Sequence, residues 1–516
     1  MCMIASWQYL ITVFARFEGV HTPACHHTEG DLTYHQLYQG ALALADQLLA
    51  QHKASGHRQR APVLLYGHKH PACLIAWWAC LLTGHPVAPV ETDNSDERLR
   101  FIAGGIQAGL LLNATGQAAP DIGIPALTVS TAVCDMPAPR LAEHCHQMGL
   151  AFGRGAIGGI AYILFSSGTT GAPKGIQVSY ANLAHFVRWL TEIFPIQGTI
   201  TSNNRYSFDA SQYELWLAWY YCQPLSILDY RDIINTRKMI ARHADARLQT
   251  WVSTPSLLRC YLKDREFSQQ NLPWLSTFIS CGEVLTKEIV STLWRAFPGC
   301  RIVNTYGPTE CTVAVTACDV TPAMLDDDAP LPLGYVRPGV ELRINAPADS
   351  ERGEIVIVGP AVSEGYLNAP PAQQERFVIE PDGTRSYRTG DIGSLRNNLL
   401  YFHGREDSEL KIQGYRIVLS DIENTLREHP QVQDAIVTPW LLHGTPQGLQ
   451  AFILSGETDI FPALAAYLRR YFPLYMVPKF WYPVGDAALN HNSKLDRQRV
   501  VQQALDKGKR YVFVSS

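Results

Sequence analysis

Short apolar runs of strand length alternate with helical stretches through residues 41–130, and that alternation points to an α/β arrangement of buried strands covered by helices. ALALADQLLA, residues 41–50, repeats its apolar positions along one helical face, and APVLLYGH from Ala61 has the length of a buried strand. LIAWWACLLTG reads as a core helix stopped at Gly84, and PVAPV supplies the next strand. AGLLLNA near 108 and IPALTVS near 124 continue the pattern. Met1 to Phe17 is apolar, but it lacks the basic start of a secretory signal, and no clean membrane span follows. A soluble cytoplasmic protein with no stable membrane insertion is expected.

A chain of 516 residues exceeds one ordinary core, so two to four domains or subdomains are expected. Apolar residues make up 47% and charged residues 17%, which leaves ample material for large cores and excludes a disordered reading. With 43 basic and 47 acidic side chains, the near balance offers no electrostatic reason to expect nucleic acid as a partner. The 12 cysteines include no CxxC pair and no close Cys/His cluster, so reduced thiols are expected rather than a zinc site or a disulfide framework. GEIVIVG (353–359) and SYRTGDIGSL (386–395) look like short strands joined by Gly/Asp turns. The major boundary is expected near 403–407, giving units 1–404 and 405–516. The second has its own pattern: LSDIENTLREHP and FPALAAYLRRYF as helices, VQDAIVTPW and LQAFILSG as strands.

Several segments carry chemistry. YILFSSGTTGAPKG (162–175) runs from an apolar strand into small residues. Gly168 and Gly171 let backbone N–H groups approach an anion, Ser166, Ser167, Thr169 and Thr170 offer hydroxyls, and Lys174 adds a mobile cation. An ordinary turn explains two glycines but not the whole set, so the segment reads as a phosphate loop, distinct from the common GxxxxGK[ST] form. In NTYGPTE (304–310), Tyr306 can stack on a purine and Glu310 is a hard carboxylate suited to Mg²⁺, although a strand end and tight turn would also produce this segment. Asp391 in YRTGDIG can accept from ribose hydroxyls, and Arg405 can reach ribose or phosphate; surface turns contain such residues too. Lys494 in NHNSKLDR could bridge the anionic oxygens of an attack on phosphorus, though a lone lysine in such a position is normally a solvated one. Asp209 in YSFDAS could pair with an α-ammonium or simply cap the following helix.

Taken together, LTY (32–34), LFSSGTTGAPKG, YSFDAS, NTYGPTE, YRTGD, GREDSELKIQGYRI (404–417), FPLYMVP (472–478) and NSKLDR resemble, in order, the adenylate-forming superfamily of acyl-CoA synthetases, luciferases and peptide-synthetase adenylation domains. The resemblance implies an α/β fold with a large N-terminal body of packed subdomains and a small mobile C-terminal α+β lid. It implies ATP with Mg²⁺, and a carboxylic acid activated as its acyl-adenylate. On that likeness Thr170, Lys174 and Lys494 are the catalytic candidates. Tyr306 would stack on adenine, with Asn304 and Thr305 also among the nucleotide-binding candidates, Asp391 would hold ribose, and Thr309 with Glu310 would attend phosphate and magnesium. Asp407 is the implied hinge and Gly414 lies beside the implied thiol tunnel; Gln413 and Ser493 depart from the common arginine and glycine of the family.

Within the family, Asp209 implies an amino-acid substrate, and the implied pocket wall is Ala210, Tyr213, Ile279, Cys281, Thr305, Val313 and Ala314. That wall is uncharged, which suggests a small neutral amino acid. WVSTPS (251–256), FISCGEVL (278–285) and NTYGPTECTVAVT (304–316) look most like standalone ligases that load D-alanine onto a carrier protein. L-proline or another small L-amino acid for a nonribosomal peptide pathway, and an acyl-CoA synthetase, are the alternatives. The short segment after Arg497 is too small for a carrier domain, so a separate carrier bearing phosphopantetheine is the expected acceptor, with coenzyme A as the alternative.

Overall fold

A computed structural model of the chain describes residues 3–28, 30–55, 60–131, 141–153, 159–166, 174–227, 235–405, 409–412, 415–442, 445–455, 460–484, 497–508 and 510–513. The chain divides into two compact units, Met1–Thr92 with Gly105–Leu164 and Gly175–Glu406, and Asp93–Gly104 with Phe165–Lys174 and Asp407–Ser516. The second unit therefore gathers two short segments from the first half of the chain besides the C-terminal residues expected for it.

Two large sheets carry the architecture. The first, of 14 strands, has five neighbouring parallel pairs at its centre: Pro23–His26 with Leu225–Ile227, then Thr199–Ser202, Leu248–Ser253, Thr277–Ser280 and Arg301–Tyr306. Thr316–Asp319 joins Arg301–Tyr306 antiparallel, and Gly334–Val336, Leu399–Arg405, Arg385–Arg396, Gly353–Val358 and Glu341–Asn345 continue the sheet in antiparallel pairs. The second sheet, of seven strands, contains the runs foreseen in the first 130 residues: Val63–Tyr66, Val87–Val90, Leu110–Asn113 and Ala126–Thr128, all parallel. Ile160–Ser166 and Lys174–Ser179 are neighbours in it, so the segment read as a phosphate loop lies in sequence between two adjacent strands. Thr199–Ser202 and Val87–Val90 are buried along their whole length, as expected of strands covered on both faces.

The helix Pro71–Thr83 shows why its sequence folds as it does. His70 accepts a hydrogen bond from the Ala72 N–H at 3.1 Å, Pro71 occupies the first turn, and Gly84 closes the helix at φ 74°, a conformation that a Cβ would oppose. All its side chains are buried. Trp78 meets Phe14, Phe17, Trp216 and Trp219 with ring centroids 4.9–5.5 Å apart. This aromatic cluster ties together the helices Met3–Ala15, Pro71–Thr83 and Ser211–Tyr221, the last of which starts two residues after Asp209. The apolar N-terminal stretch is thus a core helix, with Trp7 donating to the Leu81 carbonyl at 3.0 Å.

One local expectation is corrected. Gly390 and Asp391 lie inside a single strand, Arg385–Arg396, rather than in a turn between two short ones. A register shift between Ile392 and Gly393 absorbs the irregularity, and Gly390 takes φ 72° within the strand.

Within the C-terminal unit, a long hairpin of Asp434–Leu442 and Thr445–Leu454 pairs with Phe480–Val484 and Tyr511–Val512. Ile422 and Leu426 from the helix Leu419–Arg427, and Leu464, Ala465 and Leu468 from Phe461–Leu468, pack with Trp481 as its core. No described helix of the chain is long and apolar enough to cross a membrane.

Truncating Trp78 removes a ring that three helices share. Trp78→Ala should lower stability by about 3–5 kcal/mol, measured by guanidinium unfolding followed by circular dichroism; a loss near zero would mean the cluster is not a structural keystone.

Candidate functional site

In open parallel sheets, ligands gather where the strands end at their carboxyl edge. Cys281 directly follows the strand Thr277–Ser280, Tyr306 ends the strand Arg301–Tyr306, and Asp209 lies in the segment that leads from Thr199–Ser202 to the helix Ser211–Tyr221.

Tyr306, last residue of its strand, donates its hydroxyl to Asp391 Oδ2 at 2.6 Å. Asp391 is directly paired with Arg405 across the sheet, and the Arg405 Nη1 donates to the other carboxylate oxygen. The Asp391 backbone N–H donates to Thr389 Oγ1 at 3.0 Å, and Arg405 Nη2 reaches the Thr389 carbonyl at 3.3 Å. Three predicted site residues are thus joined in one hydrogen-bonded group, in which Tyr306 and Asp391 are buried and the Asp391 carboxylate is held from two sides. Burial, and then the neighbouring Asp391 charge, pushes the Tyr306 phenol well above its ordinary range, so it remains a donor.

Beyond Tyr306, Thr309 and Glu310 begin a single turn of 3₁₀ helix, Thr309–Cys311. Glu310 is fully buried, and Tyr366 donates to its Oε1 at 2.6 Å. Tyr366 and Leu367 pair with Ile176 and Gly175, immediately after Lys174. Glu310, preceded by Thr309 in this turn, is a hard carboxylate of the kind that could hold a Mg²⁺.

Of the predicted substrate wall, Ala210, Tyr213, Ile279, Cys281, Val313 and Ala314 are all buried in the large core that also takes in the aromatic cluster around Trp78. Thr305 donates to the Ser280 carbonyl at 2.8 Å, fixing its strand against the one that leads to Cys281. Tyr213 lies toward Thr305, without a hydrogen bond of ordinary length, and feels the charges of Asp209 and Arg337. Asp209 is 8% exposed; the helix it precedes takes Ala210 as its N-cap with no side-chain cap bond. The capping role is therefore not assigned to Asp209 by the helix that follows it. Asn304 donates to the Pro332 carbonyl at 2.8 Å.

Sequence reasoning missed the buried polar groups that hold the segment leading to Asp209. Glu214, one helical turn on, accepts from the Asn203 and Asn204 N–H groups at 2.7 and 3.2 Å and from Thr201 at 3.2 Å. Lys69 stands 3.9 Å from it and donates to Ser202 at 2.9 Å. His68 bonds Glu91, which also accepts from the Ser207 hydroxyl at 3.1 Å. Burial opposes the Glu91 charge, but His68, Arg205 and Lys69 outweigh it and hold the carboxyl below its usual range. These partners come from three separate segments, so no local motif announces them. Ser167, Gly168, Thr169, Thr170, Gly171, Asp407, Gly414 and Lys494, with Gln413 and Ser493, lie outside the described residues, as does the Ser166 side chain.

Burial pushes the Glu214 carboxyl up to about 7 from 4.5, against the opposing pull of Lys69. Between those two pH values the folded chain retains a proton that the unfolded chain has lost. Its contribution to stability is therefore full below about 4.5, falls as pH rises, and levels off above about 7. Relative to Glu214→Gln, the parent should lose about 1 kcal/mol per pH unit across that window, read by urea unfolding at successive pH values. A pH-independent difference would contradict the buried, proton-retaining carboxyl.

Comparison with known proteins follows the same lines. The family model described as AMP-binding enzyme matches residues 14–367. A D-alanine–D-alanyl carrier protein ligase of Bacillus cereus (strain B4264) is 33% identical over 495 residues, 92% of this chain and 95% of that protein. The Vibrio cholerae adenylation domain AlmE, solved with glycyl-adenosine-5'-phosphate, superposes with TM-score 0.79 at 22% identity, covering 97% of this chain and 98% of that one. Holo-PA1221, a peptide-synthetase protein containing adenylation and PCP domains, gives TM-score 0.79 at 24% identity over 96% of this chain and 84% of its own.

Proposed function

The chain belongs to the AMP-binding enzyme family, and from that premise we propose that it is an amino acid–carrier protein ligase that forms AMP, with D-alanine as its amino acid. The observation that supports this reading is the buried Asp209, whose charge reaches Tyr213, a side chain that itself lies toward Thr305, the residue before Tyr306. A carboxylate there offers an α-ammonium a charge-assisted hydrogen bond that a simple fatty or aryl acid cannot return.

In the first step a carboxylate oxygen of the amino acid attacks the α-phosphorus of ATP, the bond to the β-phosphate breaks, and pyrophosphate leaves. In the second, a phosphopantetheine thiol of a separate carrier protein attacks the acyl carbon, its proton passes to solvent, and the C–O bond to AMP breaks. Tyr306 lies against adenine while Asp391, oriented by Arg405, accepts from ribose hydroxyls. Glu310, with Thr309 preceding it, would hold a Mg²⁺, which when bound would supply positive charge to the phosphates. The Ser166–Lys174 loop cradles the pyrophosphate side, and Lys494 bridges the reacting oxygens at the α-phosphate. Asp407 and Gly414 keep on this reading the hinge and thiol-tunnel roles that the family resemblance implies. ATP-dependent loading of this kind suits a cytoplasmic enzyme.

D-Alanine is favoured because the curated relative named for that substrate matches almost end to end at 33% identity, and because the wall of Ala210, Cys281, Val313 and Ala314 is small and uncharged. Pyrophosphate–ATP exchange across paired D- and L-amino acids, with simple carboxylates included, tests the reading. D-alanine should drive the fastest exchange. Preference for L-proline or another L-amino acid would reject the substrate but keep the reaction, and exchange driven only by simple acids would reject the amino-acid ligase. Lys494→Ala should retain ATP binding, measured by calorimetry, while its exchange rate falls by about 10²–10³; unchanged exchange would remove Lys494 from the reaction.

A further inference from the structure

The turn that follows Glu310 adopts a backbone conformation that its own residues disfavour. Thr312 has φ 54° and Val313 φ 70°. Two successive side-chain-bearing residues in the left-handed region are unusual, and a β-branched one there is an outlier. The Ala314 N–H donates to the Thr312 carbonyl at 2.9 Å, so Val313 sits at the centre of the rare left-handed form of the three-residue turn. Residues so held persist only where their surroundings over-determine them, and they cluster at ligand sites.

The surroundings here can be named. Thr312 Oγ1 donates to the Ala361 carbonyl at 2.8 Å, and the Val315 N–H returns to the Tyr306 carbonyl at 2.8 Å. At Gly307 a Cβ would stand 2.5 Å from Ala314 Cα, so the turn folds directly against backbone that must be glycine. The remaining anchor is Arg337: its N–H donates to the Val315 carbonyl at 2.8 Å, and its Nη1 donates to the Ala314 carbonyl at 2.9 Å.

Arg337 is an expensive anchor in physical terms. It is fully buried, its Nε and Nη2 have no hydrogen-bond partner among the described residues, and it stands about 6 Å from the rings of Phe186 and Trp189. Burial lowers its guanidinium to about 10, so it stays charged near neutrality. A buried cation of this kind usually stabilises a fold less than an apolar residue of its size would, and retention for conformational specificity is the better-attested use. What it specifies can be read from its contact: the carbonyl between Val313 and the strand Thr316–Asp319, beside Tyr213.

We propose that Arg337 is a positioning residue for amino-acid selection: by holding the Ala314 carbonyl it locks the left-handed Val313 turn and so fixes the wall that meets the substrate side chain. The inference rests on the ligase reading, in which Val313 and Ala314 form that wall. Arg337 touches neither amino acid nor nucleotide and acts through the turn.

The test compares Arg337→Met, which keeps bulk but removes the donors, with Arg337→Lys, which keeps a buried donor, and with Thr312→Val, which removes the other anchor. In amino-acid-dependent pyrophosphate exchange, Arg337→Met should raise the amino-acid KM about tenfold and narrow the preference over an amino acid one methylene larger by a similar factor. Its ATP KM should stay within about twofold of the parent, and Arg337→Lys should recover most of the selectivity. Folded Arg337→Met with unchanged amino-acid KM and preference overturns the proposal, as does a parallel rise in both KM values. Should Arg337→Met fail to fold, Thr312→Val is read against the same two outcomes. No amino-acid-dependent exchange in the parent would remove the ligase reading and this inference with it; parent activity with unaltered variant selectivity would remove the inference alone.

Discussion

The strand Arg301–Tyr306 pairs parallel with Thr277–Ser280 on one side and antiparallel with Thr316–Asp319 on the other, and much of the site geometry follows from that change of direction. A parallel neighbour would need a long crossover; an antiparallel one is reached by reversing within residues 307–315. That short reversal must turn over the carboxyl ends of the parallel strands. It is compressed enough to require glycine at 307 and left-handed backbone at Thr312 and Val313. In the same few residues it places Glu310, Val313 and Ala314 next to Tyr306, where the neighbouring strands deliver Cys281 and the Asp209 segment.

Several acidic side chains are buried in held arrangements rather than left to find partners. Asp391 is gripped by Arg405 and Tyr306, Glu310 by Tyr366, Glu91 by His68 and Ser207, and Glu214 by backbone N–H groups with Lys69 close by. Removing one member of such a pair strands the other in a medium of low polarity, which costs more than the pair contributes when intact. The benefit is preorganisation: a carboxylate whose rotamer is fixed by two donors meets a ligand without first losing side-chain freedom. Glu214 extends this to the backbone, since it fixes Asn203 and Asn204 on the path to Asp209.

The strands of the seven-stranded sheet were readable because Val63–Tyr66, Val87–Val90 and Leu110–Asn113 are buried almost throughout and contain few polar residues to confuse the pattern. The helix ending at Gly84 was readable for an equally local reason, its glycine stop. Tyr306, Asp391 and Arg405 were legible as separate candidates, but their union depends on Asp391 facing Arg405 across a strand pair, a register that no local pattern specifies. Asp391 was misplaced into a turn because Gly390 looks like a breaker, whereas pairing on both sides of Arg385–Arg396 carries the strand through it. Arg337 was invisible: in LGYVRPG it resembles any surface arginine before a proline turn, and only the tertiary packing buries it.

On the proposed reading, the manner in which the wall is built bears on how finely it can discriminate. Adding or removing one methylene in an apolar pocket separates substrates by only about 1–3 kcal/mol, and a lining of mobile side chains would surrender part of that by relaxing around the larger guest. Val313 and Ala314 belong instead to a turn whose backbone is pinned at Thr312, Val315 and Ala314 and pressed against Gly307. Enlarging the space there would require breaking a hydrogen bond to a buried guanidinium that has no other acceptor among the described residues. The strain stored in the turn and the charge placed behind it therefore act in one direction: both make the wall stiff, and stiffness lets a wall of small uncharged residues select by size.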